Sequence, residues 1–321
     1  MAEISVGGAV GAGFGLIARQ PLAVLVWGLL RVGFLVLVLA IYAPVFLGMF
    51  AQIAASAQTG EKPDPAMMNS LMPQMMMVQG FGFLAQIAGL LIGAVSLCAV
   101  TRAIIQPERS AFAYLRLGSA ELFLAVLAFG AGFVIVFCLM LAIIPFAIAI
   151  GILAAMHQAA GAVVVGGLGA LILIVGGVYV LARLAFVAPM MVEDNQFHLF
   201  DAWTLTKGHV GGIVLTGFLL LLIAIGFGLV LDLLFIGLGA GVLSVAAGGL
   251  DHLQTFFSQP PQTIFAALAP SLILLALLIV PIQGCAMAIF YAPWAKAYRD
   301  VVPGPPVGVA SVTAQPLAPA T

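Results

Sequence analysis

Charge is scarce in this chain. Of 321 residues, 7% are Asp, Glu, Lys or Arg, where a soluble domain carries roughly 25%. Ten basic and eleven acidic side chains cannot clothe a water-facing surface around a sequence that is 64% hydrophobic, so bilayer must solvate most of it. The formal charge of −1 leaves no basic field for nucleic acid and excludes that partner class. Cysteine is scarce too. Cys98, Cys138 and Cys285 all lie within apolar runs, with neither a disulfide framework nor zinc spacing. His157, His198, His209 and His252 lie far apart with no ligand spacing, and no metalloprotease, serine-hydrolase or phosphate-loop signature occurs. The sequence therefore predicts a non-enzymatic protein with no cofactor and no metal, whose partners are membrane lipids.

Long apolar runs are what the chain has in abundance. Uncharged or nearly uncharged stretches run over 22–50, 80–100, 122–153, 162–192, 213–243 and 264–291, and a spanning helix needs about 20 such residues. The fold class is thus all-α, a polytopic membrane protein with six transmembrane helices. Barrel strands would alternate apolar and polar residues instead. The first run spans 29 residues, too long for a signal-peptide core of about 7–15. Several runs exceed the membrane thickness, which predicts tilt, extra turns, or breaks at Pro145 and Pro281. Residues 1–301 read as one membrane domain. Residues 302–321, with five prolines from Pro303 onward, read as a disordered tail.

The bases set an orientation. Arg19, Arg102, Arg109, Arg116, Lys207, Lys296 and Arg299 fall on the side holding both termini, against Lys62 alone on the other. The positive-inside rule then puts both termini in the cytoplasm and segments 51–79, 154–161 and 244–263 outside.

Three stretches on the terminal side share one pattern of small residue, aromatic, small residue, larger apolar residue and base. They run from Gly13 to Arg19, Ala111 to Arg116 and Ala202 to Lys207, with Phe14, Phe112 and Trp203 spaced by 98 and 91 residues. This regularity predicts a threefold repeat over about 8–105, 106–190 and 197–298, each unit a cytoplasmic interfacial helix followed by two spans. An even number of crossings per unit makes the copies parallel, related about the membrane normal. Phe14, Phe112, Trp203 and Lys207 are the interfacial anchors in this reading. A helix over 196–208 would put Leu199, Phe200 and Trp203 on one side and His198 with Asp201 on the other.

The stretch from Asp201 through Trp203 and Lys207 to Gly208, preceded by Arg183, Pro189 and Glu193, resembles a bacterial membrane family. That family comprises the membrane domain of glycerophosphoryl diester phosphodiesterases and the related YciC-type inner-membrane proteins. Ala202 stands where its pattern has a serine. The resemblance implies a six-helix bundle with cytoplasmic amphipathic joints in the bacterial inner membrane. The catalytic barrel of some relatives has no counterpart here, so their activity is not implied.

Three ionisable side chains lie inside spans. Arg31 sits near the middle of the first, and Arg183 lies nine apolar residues before Glu193. A charge at that depth must find protein, water or a lipid phosphate, so the two arginines are a candidate anion or lipid-headgroup site, set against the plainer reading that each snorkels or binds a backbone carbonyl. Asp232 is the candidate intramembrane acid, about 15 Å from the depth of Arg31. Six of the 13 methionines, from Met67 to Met77, crowd the first outer segment. They read as an amphipathic stretch lying on the membrane, with Cu(I) binding the alternative. Small-residue spacings such as Gly89-x3-Gly93 read as helix-packing devices. The function these readings point to is envelope or lipid homeostasis through a polar or headgroup site, with a small-solute transporter or channel and a membrane scaffold as alternatives.

Overall fold

The computed structural model describes residues 3–59, 65–108, 111–249, 252, 255–256 and 259–302. The tail from 303 onward and Arg109 lie outside the described residues. The chain is all-α and integral to a membrane. Among the described residues, six helices are long and apolar enough to cross a bilayer. In lipid, each backbone N–H and C=O must be satisfied within its own segment, so runs rich in Val, Ile and Gly still form helix here.

Helix α1 (Val6–Arg19) starts at Ser5, whose hydroxyl accepts from the Gly8 amide at 3.3 Å. Then come α2 (Pro21–Thr59), α3 (Pro65–Ile105), a short turn at Ala111–Tyr114, and α4 (Ser119–Ala155). They are followed by α5 (Ala159–Leu184), α6 (Val187–Asp194), α7 (Leu199–Leu205), α8 (Val210–Ala247) and α9 (Pro261–Val301). Around the bundle α2 neighbours α3, α3 neighbours α4, and so on through α5, α8 and α9, which returns to α2 and closes the ring. Helix α9 also packs across the ring on α3, and α1 lies against α9. Ser5 meets Asp300, its amide donating at 3.1 Å, so both ends of the described chain meet at one end of the bundle, here called the polar end.

Several expectations are corrected. Within the predicted outer segment 51–79, α2 runs on to Thr59 and α3 starts at Pro65, so the methionine stretch is the first part of α3, with Met72, Met75, Met76 and Met77 exposed. At 39 and 41 residues these helices are about 60 Å long, twice the ~30 Å apolar core. Hydropathy measures the span, and the helix outlasts it. Pro145 and Pro281 lie inside unbroken helices. The fourth span breaks instead at Ala185–Phe186, with Phe186 at φ −94°, ψ 0°. Pro189 then falls in the first turn of α6, where a missing N–H is tolerated.

The interfacial helices are less regular than expected. Helix α7 covers seven residues, shorter than 196–208. Residues 111–114 form no ordinary helix, because Phe112, Ala113 and Tyr114 all have positive φ (53°, 54° and 62°). Each left-handed residue costs roughly 1–2 kcal/mol. The turn is held from outside: Trp27 Nε1 donates to the Ala113 carbonyl at 2.8 Å and Gln20 Nε2 to the Tyr114 hydroxyl at 2.7 Å. The Tyr114 hydroxyl in turn donates to the Pro107 carbonyl at 3.0 Å.

The core sits at the polar end and favours one side. Gly28 on α2 and Gly284 on α9 form a reciprocal crossing, in which a Cβ added to Gly28 would lie 1.9 Å from the Val280 carbonyl oxygen and one added to Gly284 would lie 2.1 Å from that of Val24. The pattern Val-x3-Gly meets its own copy. Gly13 does the same for α1, its absent Cβ falling 2.6 Å from the Ile289 Cα. The Gly89-x3-Gly93 pair does not close a helix contact: a Cβ added to Gly89 would have only ordinary contact with Phe34, and one added to Gly93 would meet nothing within 4 Å.

Candidate functional site

Polar side chains converge where α3, α4, α6, α7 and α9 meet at the polar end. Arg102 and Glu121 form a buried ion pair, their side chains 7% and 0% exposed. Glu121 also accepts from the Gly118 amide at 3.0 Å, satisfying a free donor at the start of α4. Arg102 reaches the Tyr114 carbonyl at 3.4 Å. Nearby, the Tyr298 hydroxyl donates to Glu193 at 2.5 Å, and Arg299 donates to the Ile105 carbonyl at 2.8 Å while facing Glu193 at 3.7 Å. Lys296 pairs with Asp300 one turn on. These bonds tie the ends of α3, α6 and α9 together.

Arg183 is the buried cation of the fourth span. Its guanidinium donates to the Trp203 carbonyl at 3.2 Å, the Thr206 hydroxyl at 3.3 Å and the Tyr179 hydroxyl at 3.2 Å. It also lies over the Trp203 and Tyr179 rings, 5.2 and 5.3 Å from their centroids, and those rings meet edge to face. Arg183 therefore clamps α7 to the end of α5. The carbonyl it binds comes from α7, not from the helix break beside Pro189. A second clasp joins α6 to α7. His198 presents one ring nitrogen to Asp201 at 2.7 Å and the other to Asp194 at 2.6 Å. The hydrogen bond with Asp201 is the main cause that raises its pKa above the ordinary histidine value, with Asp194 adding to it against partial desolvation.

Beside this network lies a cavity of about 590 Å³, walled by α3, α4, α5, α6, α8 and one residue of α9, within the ~300–1,000 Å³ of small-molecule sites. Leu124, Leu127, Ala128 and Ala131 line it from α4, Val178, Leu181, Ala182 and Ala185 from the region of α5, and Ile213, Gly217 and Phe218 from α8. Among the described residues of its wall, Thr101 and Trp294 are the two with polar side chains and none is ionisable. Its residues on α4 and α8 lie between three and twelve positions from the helix starts, about 5–18 Å from the polar end. That is the depth of one leaflet's hydrocarbon. Val178, Leu181 and Phe218 are 44%, 63% and 53% exposed, so the cavity is open, not sealed.

The remaining predicted residues do not join this site. Arg31 is exposed on α2, which packs on α3 and α9, while Arg183 is buried on α5, which packs on α4, α7 and α8. The structure does not bring the two arginines together. Asp232 is exposed on α8. Phe14 and Phe112 are 50% and 86% exposed, and Lys207 is exposed, whereas Trp203 is half-buried on Arg183. The sequence reading passed over Glu121, Thr206 and Tyr179. Tyr179 and Arg183 stand four residues apart, as do Ala202 and Thr206, so helical spacing was the available signal. The cavity had none, because its alanines and glycines look like any others in an apolar run.

The chain matches no protein-family model, no curated protein and no solved structure.

Proposed function

We propose that this is a non-enzymatic protein of the bacterial inner membrane, with cytoplasmic termini, that serves lipid or envelope homeostasis by holding a lipid-derived apolar chain in the cavity between α4, α5 and α8. The observation carrying the proposal is that cavity: about 590 Å³ with an apolar wall at the depth of one leaflet's acyl chains. The candidate site thereby moves from Arg31 to the α5–α6 break. The basic residues on the terminal side support the orientation. The resemblance around Trp203 and Lys207 to phosphodiesterase membrane domains supports the setting. Native mass spectrometry of detergent-extracted protein tests the reading. Wild type carries lipid-derived mass additions, and Ala128→Phe, which fills the α4 wall, loses them. Unchanged additions in the variant would refute it.

One observation favours a second reading, transport of a small solute. The fourth span is interrupted at Ala185–Phe186 beside the cavity, and interrupted helices line substrate sites in transporters. Solute flux in proteoliposomes, abolished by the same Ala128→Phe, would replace lipid holding with transport.

A further inference from the structure

The break in the fourth span frees backbone acceptors on residues that line the cavity, and one of them, the Ala185 carbonyl, is freed by a proline. Helix α5 ends at Leu184, and the Ala185 amide turns back to the Ala182 carbonyl at 3.4 Å. The next carbonyl, that of Phe186, accepts from Met190 at 3.1 Å. The carbonyl of Ala185 would take its bond from the residue four positions on, which is Pro189, and proline has no N–H. Among the described residues no other backbone or side-chain group donates to it. Ala185 lines the cavity and is part-exposed. Surrounding hydrocarbon offers no donor, and an unpaired peptide carbonyl in such a medium is costly.

The same wall rejects charge. The nearest cations are already committed, Arg183 to Tyr179, Trp203 and Thr206, and Arg102 to Glu121. An anionic headgroup drawn into the cavity would meet no cation, only the neutral donors Thr101 and Trp294. A cationic one would meet no carboxylate on that wall, only neutral groups.

Resting on the reading of the cavity as a lipid-chain site, we infer that its ligand is a neutral amphiphile with a hydrogen-bond donor, a long-chain alcohol or monohydroxy lipid, whose hydroxyl donates to the Ala185 carbonyl while its chain lies between α4, α5 and α8. Pro189 then has a function as well as a place. It keeps the acceptor free.

The test compares tritiated hexadecanol with its methyl ether, which has the same chain and no donor, on the full-length protein in nanodiscs. Wild type binds the alcohol about fivefold to tenfold better, the worth of one net hydrogen bond. Pro189→Ala returns an N–H to the break, so the preference falls to about twofold or less while ether binding holds. Ala128→Phe weakens both ligands. If wild type binds alcohol and ether equally, or Pro189→Ala keeps the full preference, the donor inference is overturned while the cavity reading stands. If Ala128→Phe changes neither ligand, the cavity itself is not the site. Hexadecanoate binding better than the alcohol would overturn the exclusion of charge.

Discussion

The crossing of α2 and α9 offers the sharpest test of how the bundle is held. Between helices in lipid there is no hydrophobic drive, because lipid tails are as apolar as leucine, so adhesion depends on close packing. Gly28→Ala puts a methyl 1.9 Å from the Val280 carbonyl oxygen, and Gly284→Ala puts one 2.1 Å from that of Val24. Ordinary contact begins near 3.4 Å. The obstructing atoms are backbone, which no rotamer change can move aside. The helices must therefore separate by about 1.3–1.5 Å, more than the ~0.5–1 Å gap that already forfeits a quarter to half of the dispersion energy along a contact. Overpacking of this kind costs about 1–3 kcal/mol, after crediting alanine its advantage of up to ~1 kcal/mol over glycine in a helix. The double variant should cost scarcely more than the worse single, because one separation relieves both clashes; we expect a coupling of about 1 kcal/mol or more. Gly33→Ala and Gly93→Ala are the controls. Nothing lies within 4 Å of either absent Cβ, so both should be neutral or up to ~1 kcal/mol more stable. Reversible unfolding in mixed micelles measures all five variants against wild type. If Gly28→Ala matches Gly93→Ala in stability, or the two crossing variants add, the crossing does not hold the bundle.

Three further outcomes follow from the polar end. Glu121→Leu leaves Arg102 buried without its carboxylate and should cost about 3–5 kcal/mol, whereas Arg102→Leu with Glu121→Leu should cost less than that single change; the same unfolding assay reads both, and a double variant worse than the single would contradict the pairing. Arg183→Lys keeps the charge but loses the planar guanidinium stacked on Trp203 and Tyr179, so α7 should loosen by about 1–3 kcal/mol and trypsin should cut after Lys207 faster than in wild type; equal cutting would show that the clamp is not needed. His198 has a raised pKa, so the protonated form is favoured in the folded joint and its stabilisation is complete below the unfolded value of ~6.5, fading as pH rises through the folded value. Hydrogen exchange over 195–200 should accordingly speed up from pH 6 to pH 8 beyond the intrinsic chemical rate, an excess absent in His198→Asn.

Six spans were legible in the sequence because lipid imposes a length and a composition that no other environment demands. What lipid does not impose was not legible. Nothing in a run of uniform hydropathy marks where a helix ends once it leaves the membrane, so α2 and α3 ran on past their predicted limits to Thr59 and back to Pro65. Nothing distinguishes Gly28 from Gly93 except the partner that each does or does not meet. Proline was a poor guide for a physical reason: Pro145 and Pro281 each remove one helix bond without breaking their helices, whereas Pro189 coincides with a real interruption. The turn at Ala111–Tyr114 was read as helix because its residues suit one. Its left-handed backbone is set by Trp27 and Gln20, about 90 residues away, and local pattern has no access to them. The polar network was half visible. Arg183 stood out as a charge in a span, but the groups that hold it, on α7 and on its own preceding turn, look ordinary in sequence.

The two halves of the ring divide the work between them. Helices α1, α2, α3 and α9 carry the backbone-level contacts at Gly13, Gly28 and Gly284, and their buried residues Trp27, Val100, Ala288 and Ala292 form one continuous cluster. On α4 and α5 burial is nearly confined to the polar end, to Ala120, Glu121 and Leu124 on one and chiefly Ala182 and Arg183 on the other. Beyond those points α4 and α5 pack chiefly on each other, Gly169 against Phe146 and Gly166 against Ile150, and lipid must cover their other faces. Helices tied to the rest of the bundle near one end, α4 to α3 by the buried ion pair and α5 to α7 by the cation clamp, can shift without disturbing the α2–α9 crossing. The cavity lies between such helices. Its occupancy should then respond to changes on α4, α5 and α8 that leave global unfolding unchanged, and the glycine variants at the crossing should lower stability before they alter binding. A single variant at Gly28 that emptied the cavity while leaving the fold at full stability would show that the two halves are coupled.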